Sequence, residues 1–165
     1  MKPTIKNFLS KTRRLLPVFA AVASLAATAR AAVPGITGPT FNLTAAEAYL
    51  TQPDGQALYS WGYGCTGSTA SGFAPSAISG SFCNTMQVPG PTLIVNEGDS
   101  VTVNLTNSLP TVAGNTSILF PGFKVTTSCS AATPVGTTGL LTCEAAPGST
   151  VSYTFTADSV GTHSY

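Results

Sequence analysis

The only histidine of the chain, His163, is the residue best suited to hold a transition metal, because neutral imidazole is a common protein ligand for such ions. A single imidazole cannot build the electron-transfer metal site that needs two histidines, a cysteine and usually a methionine. A small electron-transfer protein is therefore excluded for the chain as given. Two interpretations of His163 stay open: a strand or surface histidine, and a metal ligand.

Two carboxylates, Glu97 and Asp99, lie one residue apart in the stretch Asn96-Glu97-Gly98-Asp99. Paired carboxylates can do acid–base chemistry, but a catalytic pair also needs a nucleophile or a matched base, and none is evident nearby. Between two strand patterns, such residues are typical of turns and sheet edges. We therefore predict no catalytic residue in this chain.

Four cysteines, Cys65, Cys83, Cys129 and Cys143, lack the C-x-x-C spacing of zinc and thioredoxin-type sites. An even number suits disulfides in an exported protein. Of the three pairings that four cysteines allow, we favour the local ones, Cys65–Cys83 and Cys129–Cys143. Each would close a loop rich in Gly, Ser and Thr and stabilise the fold by about 3 kcal/mol.

Three aromatic residues, Tyr59, Trp61 and Tyr63, alternate along one stretch. Alternation puts them on one face of a strand. Two interpretations are open: an aromatic binding face, or packing against the core and loops.

The first residues have the organisation of a secretory signal peptide. Residues 1–14 are basic and contain no acid, residues 15–29 are apolar, and Ala29-Arg30-Ala31 offers an A-x-A cleavage site. The apolar run is shorter than the about 20 residues that span a bilayer. We therefore predict a signal peptide over residues 1–31, a mature domain over 32–165, no stable membrane anchor, and a secreted or periplasmic location.

Removing the leader changes the charge of the chain strongly. Six of the seven basic residues precede position 31, which leaves Lys124 against six acids, a net charge of 1 − 6 = −5. Binding to nucleic acid needs clustered Lys and Arg to neutralise phosphates. Nucleic acid is therefore excluded as a partner.

The elements that must position these residues are strands. Apolar residues alternate with polar ones over 101–105 and 151–155, and Gly, Pro and Asn clusters separate these runs. The pattern predicts a β-sandwich or barrel. We also expect a short helical turn at 45–49 and a strand at 116–120.

Several motifs carry a resemblance to a known family. Residues 89–110 read PGPTLIVNEGDSVTVNLTNSLP, Thr-Ser-Ile follows at 116–118, Ala-Pro-Gly at 146–148, and Tyr-Thr-Phe at 153–155 precedes Gly-Thr at 161–162. In this order and spacing the sequence resembles the N-terminal region of multicopper oxidases, over roughly half of the mature chain.

The resemblance implies an all-β fold, a Greek-key β-sandwich of the cupredoxin type that is incomplete at its C-terminus, because the family continues with a His-x-His motif just beyond Tyr165. It implies copper as the cofactor of the full-length protein and the remaining cupredoxin domains of a longer chain as partners. The implied activity of that longer protein is oxidation of a substrate with reduction of dioxygen to water.

The departures from the family pattern concern the copper ligands. The family's first two ligand histidines fall at Leu119 and Pro121, with Phe120 in the place of a tryptophan. Neither residue can bind copper, so His163 is the one candidate ligand, and we expect the chain alone to be inactive and to hold no stoichiometric copper. The alternative function is a copper-free secreted β-sandwich that serves as a binding or adhesive module.

Overall fold

Strands make up most of the computed structural model, which describes residues 33–65, 72–76, 83–128 and 142–165. The predicted signal peptide and Cys129 lie outside the described residues. The strands are β1 (Gly35–Thr37), β2 (Thr40–Thr51), β3 (Ala57–Cys65), β4 (Phe73–Ala74), β5 (Thr92–Ile94), β6 (Ser100–Asn107), β7 (Thr126–Ser128) and β8 (Thr150–Thr156), with a 3₁₀ turn at Thr111–Ala113. The described ranges contain no helix long and apolar enough to cross a membrane.

The strands form two mixed sheets. The larger has the order β3-β2-β6-β8-β7, and the smaller has the order β4-β1-β5. In the larger sheet β2 runs parallel to β6, and the other neighbours are antiparallel. The described chain is thus all-β, and the predicted cupredoxin-type β-sandwich is confirmed.

Alternation of side chains decides which face of the larger sheet forms the core. Along β6, Val101, Val103 and Leu105 are at most 1% exposed, and the residues between them are half-buried. Their partners on β8, residues 151–155, repeat the pattern in register. Successive side chains of a strand point to opposite faces, so the two runs form one continuous apolar surface.

The outer face of the larger sheet carries rows of uncharged polar side chains. One row runs across four strands, and its members are Thr40, Thr102, Thr154 and Thr126. The next row contains Asn42, Asn104, Ser152 and Ser128, and within it Asn104 donates to Asn42 (2.8 Å) and accepts from Ser152 (2.6 Å). No ionisable side chain of β2, β6, β7 or β8 lies in these rows.

The expected helical turn at 45–49 is wrong, because β2 continues as a strand to Thr51. It pairs antiparallel with β3 from Leu43↔Cys65 to Thr51↔Ala57. A tight turn closes this pair, with Gln52 N–H donating to the Gln56 carbonyl (2.7 Å). Cross-strand pairing has overridden the helix propensity of the Ala- and Glu-containing stretch.

The expected strand at 116–120 is also wrong, since only Thr116 forms a bridge, to Ala145. The segment is instead fixed at its base by Asn107, which is fully buried at the end of β6. The Asn107 side chain donates to the carbonyls of Gly114 (3.0 Å) and Ala145 (2.9 Å) and accepts from the Leu109 N–H (3.0 Å). The side-chain hydrogen bonds of Asn107 therefore hold this segment in place of a ladder of backbone hydrogen bonds between strands.

Candidate functional site

The segment around Leu119, where the resemblance predicts copper ligands, is held against the sandwich by side chains from distant strands. Thr116 and Ala145 exchange two backbone hydrogen bonds, of 3.0 and 2.7 Å. The Tyr63 hydroxyl on β3 donates to the Ser117 carbonyl (3.1 Å), and the Ile118 N–H donates to the Tyr153 hydroxyl (3.2 Å). These contacts fix the backbone position of the candidate site.

Phe120 occupies the centre of the candidate site, where the family carries a tryptophan between two ligands. Its side chain is 8% exposed and packs among three rings. The ring centroids lie 4.9 Å away for Phe155, 5.7 Å for Tyr153 and 6.0 Å for Tyr165. Such contacts add to the stabilisation that burial of the ring already provides.

Tyr165 closes one side of this aromatic cluster. Its hydroxyl donates to the Pro91 carbonyl (2.6 Å), and its ring lies nearly parallel to that of Phe120, at 30°. Burial raises the pKa of the Tyr165 phenol to about 12, with a smaller contribution from Tyr63. A Cβ on Gly90 would lie 2.8 Å from the Tyr165 hydroxyl, so the close approach depends on a glycine there.

Tyr153 links β8 to both neighbouring loops. It is fully buried, and its hydroxyl donates to the Cys143 carbonyl (2.8 Å) while accepting from Ile118. Burial is the main cause that raises the pKa of the Tyr153 phenol, opposed by the Ile118 hydrogen bond. The hydroxyl is therefore a neutral structural donor at ordinary pH.

His163 lies on the surface beside this cluster, with its ring centroid 4.6 Å from that of Phe123. Leu119 and Pro121 are exposed and offer hydrocarbon side chains only. Across the described residues, no three side chains of His, Cys, Asp and Glu lie close enough to hold a metal ion. Copper of this type needs several imidazole or thiolate ligands, so the donors of the described residues do not fit a copper ion.

The carboxylate pair Glu97 and Asp99 lies at the turn between β5 and β6. The Asp99 carboxylate accepts from the Asn96 N–H (2.8 Å) and from the Asn96 amide (3.2 Å). Gly98 between them has a φ of 87° and donates its N–H to the Ala157 carbonyl (2.7 Å). Asp99 thus acts as a turn former.

A disulfide joins Cys65 at the end of β3 to Cys83, with 5.1 Å between the Cα atoms. Beside it, the Cys65 N–H donates to the Cys83 carbonyl (2.7 Å). The bond therefore fixes the end of β3 to the segment that leads into β5. The other favoured pair, Cys129–Cys143, stays a prediction because Cys129 lies outside the described residues.

The structure divides the three alternating aromatic residues between the two interpretations. Tyr63 is half-buried and holds the Ser117 carbonyl, as packing requires. Tyr59 and Trp61 are 45% and 49% exposed. Only this exposed pair is available to a partner.

Sequence reasoning missed the residues that organise the candidate site, Asn107, Tyr153 and Tyr165. Asn107 left a signal, because it is a polar residue at an inward position of the alternating run 101–107. A polar residue at such a position must find hydrogen-bond partners in the core. The hydroxyl contacts of the two tyrosines depend on chain segments far away in sequence and left no local signal.

Comparison with known proteins identifies a family and several relatives, each over about half of the chain. A family profile described as multicopper oxidase matches residues 78–165. Laccase-3 of Botryotinia fuckeliana is 40% identical over 77 residues, 47% of this chain and 16% of the relative. Laccase abr2 of Aspergillus fumigatus is 39% identical over 79 residues, 48% of this chain and 12% of the relative.

A plant protein gives the same result. L-ascorbate oxidase of Brassica rapa subsp. pekinensis is 39% identical over 79 residues, 48% of this chain and 13% of the relative. The chain thus matches only about an eighth to a sixth of the length of these relatives. No solved structure matches the chain significantly. The family profile covers more than half of the sequence and agrees with the all-β sandwich, and the chain belongs to the multicopper oxidase family.

Proposed function

We propose that this chain is the N-terminal cupredoxin-type domain of an exported multicopper oxidase, and that it acts as a scaffold without holding copper by itself. The observation that carries the proposal is the donor chemistry at positions 119–121. Leu119 and Pro121 offer no ligand atom, and the ring of Phe120 packs into an aromatic cluster. This agrees with a site maintained by packing.

The activity of the longer protein is inferred from its relatives, which are laccases and an L-ascorbate oxidase. We propose that the longer protein oxidises a substrate and reduces dioxygen to water, with copper supplied by its remaining cupredoxin domains. Dioxygen uptake by the longer protein, measured with and without a copper chelator, tests this activity separately from the role of this chain.

Copper loading of the purified chain tests the scaffold role. We expect elemental analysis after dialysis against a cupric salt to find far less than one copper per chain, and His163→Ala to leave that value unchanged. The matched variant, Leu119→His with Pro121→His, restores two imidazoles and is expected to raise copper uptake. Tightly held copper near one per chain that is lost in His163→Ala would refute the proposal.

Export is supported by the leader pattern of residues 1–31 and is tested directly. We expect N-terminal sequencing of the protein from the culture medium or periplasm to begin at Ala32. Retention of the leader on the isolated protein would contradict export by a cleavable signal peptide.

A second function, the copper-free binding or adhesive module, is favoured by one observation. Exposed aromatic residues, Tyr49, Tyr59 and Trp61, lie on β2 and β3. A longer protein that contains no copper and consumes no dioxygen would decide for the binding module.

A further inference from the structure

The hairpin of β2 and β3 extends beyond the rest of the larger sheet. The pairing of β2 with β6 ends at Ala45↔Asn107, whereas its pairing with β3 continues to Thr51↔Ala57. Residues 46–51 and 57–62 therefore form a two-stranded ribbon, here called the β2–β3 ribbon. An isolated two-stranded hairpin is marginal in water, so a partner that covers the ribbon would stabilise it.

One face of the β2–β3 ribbon carries an exposed aromatic row. Tyr49, Tyr59 and Trp61 are 70%, 45% and 49% exposed. The ring centroids are 5.4 Å apart for Tyr49 and Tyr59 and 6.5 Å apart for Tyr59 and Trp61. Rings held together in this way present a fixed apolar surface, and clusters of exposed aromatic residues mark interaction sites.

A carboxylate lies within this row. The Tyr59 hydroxyl donates to the Glu47 carboxylate and accepts from the Trp61 indole N–H (3.1 Å). The β2–β3 ribbon and its turn contain two acids, Glu47 and Asp54, and no base, and Lys124 is the one Lys or Arg of the described residues. The charge of the surface is therefore complementary to a cationic partner.

The outer edge of β3 is covered only in its second half. The Gln87 N–H donates to the Tyr63 carbonyl (3.0 Å), and the Cys65 N–H donates to the Cys83 carbonyl. Continuing this pairing would bring Pro89 opposite Trp61, and proline has no N–H to donate. The covering segment therefore stops pairing at that point.

The alternating direction of backbone N–H and C=O groups along a strand shows which groups of β3 lie at the uncovered half of its edge. Because Tyr63 and Cys65 direct their backbone groups outward, Ala57, Tyr59 and Trp61 do the same. Among the described residues, none donates to or accepts from these outward backbone groups. β3 also contains no charge and no proline, the residues that usually protect an edge strand from pairing.

We propose that the open edge of β3 binds an extended basic segment of a partner protein by strand addition. The partner backbone pairs with Ala57, Tyr59 and Trp61, as in other β-augmentation complexes. Its alternate Lys or Arg side chains lie on the aromatic row, where the ring faces attract cations and Glu47 supplies the opposite charge. The inference is independent of whether the protein holds copper.

The single tryptophan of the chain, Trp61, reports the binding by its fluorescence. The probe is a short peptide in which Lys and Val alternate. We expect a saturable change in emission with this peptide and none with the peptide in which Glu replaces every Lys. Methylation of alternate peptide amides, which removes the ladder donors without altering the protein, should weaken binding at least about tenfold.

A matched pair of variants separates the charge of the ribbon from charge elsewhere. Glu47→Gln retains an acceptor for Tyr59 and should weaken binding of the Lys peptide roughly threefold to tenfold. Glu97→Gln, at the turn before β6, removes an equal charge and should leave binding unchanged. An equal loss of peptide binding in both variants would contradict a binding site at the β2–β3 ribbon.

Other outcomes also overturn the proposal. If the Glu and Lys peptides bind equally, or if methylation has no effect, the partner is not a basic added strand. If sedimentation shows a dimer that shields Trp61 without peptide, the occupant of the edge is a second copy. If Trp61 in the longer protein does not respond to the peptide, another part of that protein covers the edge.

Discussion

The two halves of β2 belong to one continuous strand and have opposite environments. Leu43 in the first half is fully buried, and Tyr49, on the same face, is 70% exposed. The first half lies within the larger sheet between β3 and β6, and its inward side chains belong to the core. The second half belongs to the β2–β3 ribbon, beyond the end of β6.

The difference shows that alternation determines which face a side chain occupies but not whether another layer covers that face. Burial of a large apolar side chain contributes about 1.5–3 kcal/mol. That contribution is available to the first half of β2 and is missing from the second. The two sheets without the β2–β3 ribbon are here called the body of the sandwich. The body should therefore contribute most of the free energy of unfolding, and the ribbon should contribute little.

The largest expected effect comes from truncating a leucine in the body. Leu105→Ala should lower the free energy of unfolding by about 2–5 kcal/mol, because the fully buried side chain leaves a cavity in the core. The matched change in the ribbon, Leu58→Ala at a residue 56% exposed, should stay within about 0.5 kcal/mol. Urea unfolding measures the free energy of unfolding of both variants. Equal losses would contradict the claim that the body is more stable than the ribbon.

The disulfide at the end of β3 gives the next largest effect. Cys65→Ser with Cys83→Ser should cost about 3 kcal/mol of unfolding free energy, since the bond closes a loop of 18 residues.

Peptide mapping without reduction should also recover Cys129–Cys143 as the second pair. A fragment that joins Cys65 to Cys129 or to Cys143 would contradict the local pairing.

A substitution of Asn107 tests whether its side chain holds the loops that contain Gly114 and Ala145 against the end of β6. Asn107→Ala removes three hydrogen bonds of a buried side chain and should cost about 2 kcal/mol, because the Gly114 and Ala145 carbonyls lose a donor. Asn104→Ala, on the solvent side of the same strand, is the control and should cost less than about 1 kcal/mol. A larger loss of stability in Asn104→Ala than in Asn107→Ala would contradict this role of Asn107.

The smallest expected effect is a change of stability in alkaline solution. The pKa of Tyr165 is about 12 in the folded chain, above its ordinary value of about 10, because burial disfavours the phenolate. Its contribution is therefore fully present below pH of about 10 and is lost as the pH rises towards about 12. Solvent access to this residue reduces the size of the effect.

Tyr165→Phe provides the measurement for this alkaline effect. The variant should lose less stability between these pH values than the parent chain, and an ultraviolet titration should show one fewer phenol ionising at the highest pH. Tyr49→Phe, on the exposed ribbon, serves as the control. If Tyr165→Phe leaves the number of phenols that ionise near pH of about 12 unchanged, the assignment to Tyr165 is wrong.

Much of the body could be predicted from the sequence, because its strands alternate strictly over 101–105 and 151–155. The local pattern failed at 45–49, where only pairing with β3 makes the chain extended. It failed again at 116–120, because the contacts that hold this segment come from Tyr63 and Tyr153, which are distant in the chain. The open edge of β3 was equally hidden, since it depends on where a neighbouring segment stops pairing.

The rows of Thr, Asn and Ser on the outer face of the larger sheet have a consequence for the environment of the protein. None of these side chains gains or loses a proton in ordinary solution. The face therefore keeps the same hydration in acidic and alkaline media, and added salt has no local charge to screen. A charged molecule that approaches these two rows meets no ionisable side chain within them, so its contacts there depend on shape and hydrogen bonding.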